Sequence, residues 1–182
     1  MNNDSERRTM SVYARGAQDG VLMGAVLCGI FASWALSLRI PAASLAFPLL
    51  CLAVPVLAWW LLRRGYRADL GLSTFSALWM HGICIFFFGT LLMAAISIVW
   101  LHWLEPGLIS QSLNSAADVY AQLGTPEASR LAEDVRKIIE RGMVPRPVDV
   151  ALALLWAGVF SGSILSIVLA AIIRAVGYHP KK

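Results

Sequence analysis

LGLSTFSALWMHGICIFFFGTLLMAAISIVWLHWL, residues 70–104, runs for 35 residues without an Asp, Glu, Lys or Arg. A helix needs about 20 consecutive apolar residues to cross the hydrocarbon core of a bilayer. This tract is long enough, and three others match it: uncharged runs lie between Asp19 and Arg39, between Arg39 and Arg63, and between Asp149 and Arg174. The chain is 58% hydrophobic and 14% charged, where a soluble domain carries about 25% charge. The reading is all-α: a polytopic membrane protein of four spans, at about 17–38, 42–62, 74–101 and 148–173. The single transmembrane domain covers 17–176, between tails at 1–16 and 177–182.

Two other readings of the apolar tracts fit less well. A signal peptide has an apolar core of about 7–15 residues behind a basic start. The first tract is longer, and Asp4, Glu6 and Asp19 are mixed with Arg7, Arg8 and Arg15 before it. Barrel strands are about ten residues of strict alternation, and these tracts are continuous. The formal charge of +4 forms no basic stripe, so nucleic acid is not an expected partner. The basic residues instead flank the spans and set orientation. With both termini cytoplasmic, the inner side holds Arg7, Arg8, Arg15, Arg63, Arg64, Arg67, Arg174, Lys181 and Lys182 against four acidic residues; the outer side has six basic against seven acidic. Trp59, Trp60 and Trp79 then mark the inner interface, Trp100 and Trp103 the outer.

Residues 102–147 form the one sizeable polar region, a helical insert between spans three and four. Glu105, Pro106 and Gly107 stop the third span. In TPEASRLAEDVRKIIERG, Thr125 suits a cap, Pro126 the first helical position and Gly142 the end. Leu131, Val135, Ile138 and Ile139 recur at spacings of four and three, giving one apolar face. That face has several uses open to it: lying on the outer leaflet, folding over the bundle, docking a partner, or simply burying its own apolar side. A shorter helix precedes it, joined near Gly124.

Within the spans, Gly16, Gly20 and Gly24 recur every four residues, as do Gly158 and Gly162 followed by Ser166. Such small-residue faces let helix backbones approach. Internal packing is the expected use, with homodimerisation as the rival. Pro48 and Pro55 in span two predict a bend, since each removes a backbone hydrogen bond.

His81 is the polar residue at depth in the third span. A packing histidine satisfied by Ser76, Ser161, Ser163, Ser166 or a carbonyl is one reading, and a proton or ligand site is the other. No acidic or basic residue is assigned to the interior of any span, which argues against a proton-coupled transporter. His81 and His102 are 21 residues apart, roughly 30 Å along a helix, so they share no metal site. His102 and Glu105 alone fall short of the three or four ligands zinc takes. The three cysteines read as small hydrophobes. No catalytic motif and no cofactor is expected, so the chain is read as a non-enzyme.

LGLSTFSALWMHGICIFFFGTLLMAAISIVWLHWLEPGLISQSL, followed by TPEASRLAEDVRKIIERG and GVFSGSILSIVLAAIIRA, resembles a bacterial four-helix membrane family, domain of unknown function 4199. The features shared are the Thr-Phe pair at 74–75, an acidic residue before Pro106, and a polar helical insert ahead of a last span rich in Gly and Ser. The family often has Asp-Pro where this chain has Glu105-Pro106, and His81 has no counterpart in the pattern. The resemblance implies a bacterial inner-membrane location and brings no activity with it. Two functions follow as expectations: an accessory or scaffold protein acting through contacts with another membrane protein or with itself, or a small transporter or channel component using a polar site near His81.

Overall fold

The structure is a computed structural model that describes residues 11–177; the expectations for the tail residues Arg7, Arg8, Lys181 and Lys182 lie outside it. It is all-α. Helix α1 covers Val12–Ser37; a 3-10 turn, Pro41–Leu45, leads into α2, Ala46–Ala68; α3 covers Phe75–Val99 and ends in a π turn, Trp100–Leu104. The inserted helices are α4, Leu108–Gln122, and α5, Pro126–Glu140, and α6 is Pro147–Val176. Four candidate spans have the length and apolar composition to cross a membrane: Tyr13–Ser37, Ala42–Ala68, Phe75–Leu104 and Pro147–Val176. The chain divides into two compact units, one of residues up to Ala95 and from Leu152 onward, the other Ile96–Ala151.

In the first unit α3 is the central helix, and glycines explain why. A side chain placed on Gly16 would strike Cys84; on Gly20 it would come within 2.7 Å of Phe88 Cβ, and on Gly24 within 2.8 Å of Leu92 Cδ2. Each step of four along α1 is matched by a step of four along α3, so the two run parallel. On α6, Gly158 abuts Thr90, Gly162 abuts the root of the Phe86 ring, and Ser166 fills the notch of Gly82. Here each step forward on α6 is a step back on α3, an antiparallel pair. Residues 84, 88 and 92 and residues 82, 86 and 90 lie on opposite faces of one helix, because two residues are about 200° apart at 3.6 per turn. The apolar core around this axis includes Met23, Leu61, Leu62, Leu78, Ile85, Phe86 and Ile173. Lipid adds no hydrophobic drive between helices, so close backbone contact supplies the packing energy.

Pro48 and Pro55 turn out unalike. Pro48 sits in the first turn of α2, where its missing N–H is needed by no carbonyl. Only Pro55 interrupts the helix interior. The additive bend expected from two prolines therefore reduces to one site.

α2 ends with Gly71 N–H bonded to Tyr66 O and Leu70 N–H to Arg67 O. Leu70 takes φ +55°, the left-handed conformation, in the position where such an end favours glycine. A Cβ there costs roughly 1–2 kcal/mol, and Leu70 is 46% exposed. Leu70→Gly is expected to raise stability by about 0.5–1 kcal/mol after the extra entropy of glycine in the unfolded chain is subtracted. Thermal unfolding in detergent measures this; an unchanged or lower midpoint contradicts it.

The second unit is a helical hairpin. Thr125 accepts a bond from Ala128 N–H at 3.2 Å, Pro126 opens α5, and Gly124 makes the turn at φ +66°. At the other end Gly142 has φ +65°, with Gly142 N–H bonded to Ile139 O and Met143 N–H to Ile138 O. Arg136 meets Asp118 of α4 at 3.2 Å, an exposed pair worth little. Lys137 lies 2.8 Å from Glu133. Its hydrogen bond first, and then its charge, hold the Glu133 carboxyl below the ordinary carboxylate value. This small contribution is present above that ordinary value and fades as pH falls through the lowered one.

Candidate functional site: a buried carboxylate–imidazole pair

Three elements converge at the end of the bundle unit where α1 begins, α2 ends and α3 begins. Asp19 and Arg15 lie one turn apart on α1, and Asp69 caps the end of α2. His81 is six residues into its span and Asp19 six into its own, each roughly 9 Å along the helix from that end.

His81 Nε2 and Asp19 Oδ2 are 3.1 Å apart. The imidazole is 3% exposed and the carboxylate 0%. With a carboxylate as its partner, Nε2 carries the proton and donates it. Room for the ring comes from Gly65 on α2, where an added Cβ would lie 2.9 Å from His81 Cε1 and 3.1 Å from Nδ1. The same Cβ would be 3.9 Å from Arg15 Cδ, so Gly65 makes space for the Arg15 stem as well.

Arg15, 3% exposed overall, donates through Nη1 to both oxygens of Asp69, at 2.9 and 3.0 Å. Ser73 Oγ donates to Asp69 Oδ2. The Asp69 side chain is 30% exposed and is the wet end of the group. Ser73, Asp69 and Arg15 thus form a hydrogen-bonded string beside the buried pair. A charge removed from water is costly unless paired and hydrogen-bonded, and Arg15 is paired with Asp69 through Nη1.

This arrangement corrects the expectation that no acidic or basic residue lies inside a span. Arg15, expected in the tail, and Asp19, at the edge of the first uncharged run, are both buried. The serines also fall elsewhere. Ser166 is buried, but its hydroxyl donates to Gly162 O at 2.7 Å within its own helix. Ser161 is exposed and donates to Ala157 O at 2.7 Å. Neither bonds His81, whose partner is Asp19. A usable signal existed in the sequence: Arg15 and Asp19 immediately precede Gly16 and Gly20, so they flank the face that approaches another helix.

The apolar face of α5 is divided. Ala128 and Ala132 are its buried residues, with Val135 and Ile139 half-buried beside them. Leu131 and Ile138 are exposed, at 51% and 39%. His102 is exposed, against Trp103, while Glu105 is buried and accepts from Trp100 Nε1 at 3.5 Å; the two do not share a face. Among the described residues no group of three His, Cys, Asp or Glu is placed to hold a metal ion.

These features define a class: a multi-pass helical membrane protein with four candidate spans and a helical hairpin inserted before the last. The chain belongs to the family described as Protein of unknown function (DUF4199), which matches residues 18–175. No curated protein and no solved structure matches it.

Proposed function

We propose that this chain is a non-enzymatic membrane protein whose working part is the Asp19–His81 pair, as a small transporter or channel component operated by protons. In this reading, gain or loss of a proton at the pair changes how α1, α2 and α3 pack. The observation that supports it is an imidazole and a carboxylate bonded at 3.1 Å and sealed from solvent within the spans. Ionisable groups at such depth are expensive and mark relays or pathways. The Ser73–Asp69–Arg15 string gives the pair a polar neighbour reaching toward water. Arg15 lies one turn from Asp19 on α1 and is bonded to Asp69 of α2; from α6, Ser166 packs on the adjacent Gly82. Both termini are taken to face the cytoplasm of a bacterial cell, following the basic excess at that end.

Spin labels at the exposed residues Gln18 on α1 and Met80 on α3 test this. The α1–α3 distance distribution is expected to shift between about pH 8 and about pH 5. In His81→Gln the shift should vanish. A wild-type distribution unchanged across that range removes the proton-operated reading.

The exposed Leu131 and Ile138 favour a second reading, an accessory or scaffold protein docking a partner through α5. Under it, Leu131→Glu with Ile138→Glu shrinks the complex purified at native expression level. An unchanged complex mass eliminates that role for α5.

A further inference from the structure

At the same end of the bundle unit, the last turns of α2 and α6 form an open cleft lined by Trp59, Arg63, Tyr66, Arg67, Ile173, Val176 and Gly177. We propose that this cleft binds the phosphate headgroup of an anionic phospholipid. The inference is independent of the Asp19–His81 reading.

The α2 wall is one helix face. Trp59, Arg63 and Arg67 follow at intervals of four, and Tyr66 falls between the last two. The Arg63 guanidinium lies 4.8 Å from the Trp59 ring centroid. That stacking holds its plane while leaving its N–H edge free to donate. Neither Arg63 nor Arg67 forms an ion pair with a described carboxylate; Asp69, two residues on, is engaged by Arg15. Tyr66 is 7% exposed, lines the cleft, and its hydroxyl bonds to no described residue. Two guanidiniums and a phenol hydroxyl lining one cleft are the donor set of a phosphate oxyanion site.

The rest of the lining points to the lipid rather than to free phosphate. Trp59, Ile173 and Val176 give an apolar wall that continues into the spans, as an acyl chain requires. Arg63 and Arg67 lie in the last turns of a candidate span, at headgroup level. Basic pockets between transmembrane helices hold anionic headgroups in this way. The competing account is that these arginines only set orientation and complement the helix dipole. Lysine performs both of those tasks, but lacks the planar fork that grips a phosphate. Arg64, 5.4 Å over Trp60, is absent from the cleft lining and serves as an internal control.

Full-length protein in mild detergent would be mixed with phosphatidylglycerol or phosphatidylcholine, and retained lipid read by native mass spectrometry. Phosphatidylglycerol should be retained preferentially. Arg63→Lys with Arg67→Lys should weaken that retention by about tenfold, the effect of losing one charge-assisted fork; Arg64→Lys should leave it unchanged. Equal retention of the two lipids would overturn the site, as would an equal loss in Arg64→Lys, which indicates diffuse charge. Inorganic phosphate is the separate arm. Displacement of the lipid by phosphate at concentrations comparable to the lipid's overturns the lipid assignment, and failure to displace supports it.

Discussion

Gly162→Leu is expected to abolish the folded bundle, while Ala157→Leu on the same helix leaves it intact. Any Cβ at position 162 runs into Phe86 at the ring root. That part of the side chain cannot swing away, because it is fixed to the α3 backbone. Nor can α3 retreat, since its opposite face is held against Gly16, Gly20 and Gly24 of α1. Overpacking of an ordinary core costs roughly 1–3 kcal/mol. With backbone on both sides the cost is at the top of that range or above it. Ala157 is exposed, so its enlargement meets no neighbour and should change stability by less than about 0.5 kcal/mol. Size-exclusion profile and thermal midpoint in detergent check both. Gly158→Ala offers a graded case. Its neighbour Thr90 is pinned by a bond from Oγ1 to Phe86 O at 2.7 Å, so that methyl also resists displacement. A Gly162→Leu protein that elutes and melts like wild type would show that α6 does not pack on α3 through this face.

His81→Leu is expected to cost about 1–3 kcal/mol, the usual penalty for leaving a buried polar group without its hydrogen-bond partner. The loss exceeds that of the hydrogen bond alone. It leaves the fully buried Asp19 carboxylate without the imidazole that faces it at 3.1 Å. Asp19→Leu strands the imidazole in the same way. The double variant, Asp19→Leu with His81→Leu, should be more stable than either single change, because two apolar side chains then face each other and neither member of the pair is left opposite an apolar partner. The cycle should return a coupling of about 0.5–3 kcal/mol. Additive losses would mean that the two residues stabilise the bundle separately. The proton-operated reading makes a further demand on this set: the double variant, though folded, should show no pH-dependent change in the α1–α3 distance.

The family to which the chain belongs carries no assigned activity, so residues must carry the functional argument. The buried pair changes the balance between the two functions the sequence left open. It supplies the group at depth that a proton-linked protein needs.

Four candidate spans, the inserted hairpin and its caps were legible in the one-dimensional string. Whether an uncharged run can cross a bilayer depends on its length and composition, which need no knowledge of neighbours. Thr125, Pro126, Gly124 and Gly142 act on bonds within a few residues of themselves, so they too are readable locally. What only the tertiary structure decided is which side chains meet. Asp19 looked like the edge of an apolar tract until the glycines of α1 drew it against α3 and onto His81, 62 residues away. α5 buried Ala128 and Ala132 in preference to Leu131 and Ile138. Helices that approach closely select small residues for the contact and leave larger apolar ones outside. That selection depends on the distance between two backbones, a quantity absent from either helix's own sequence.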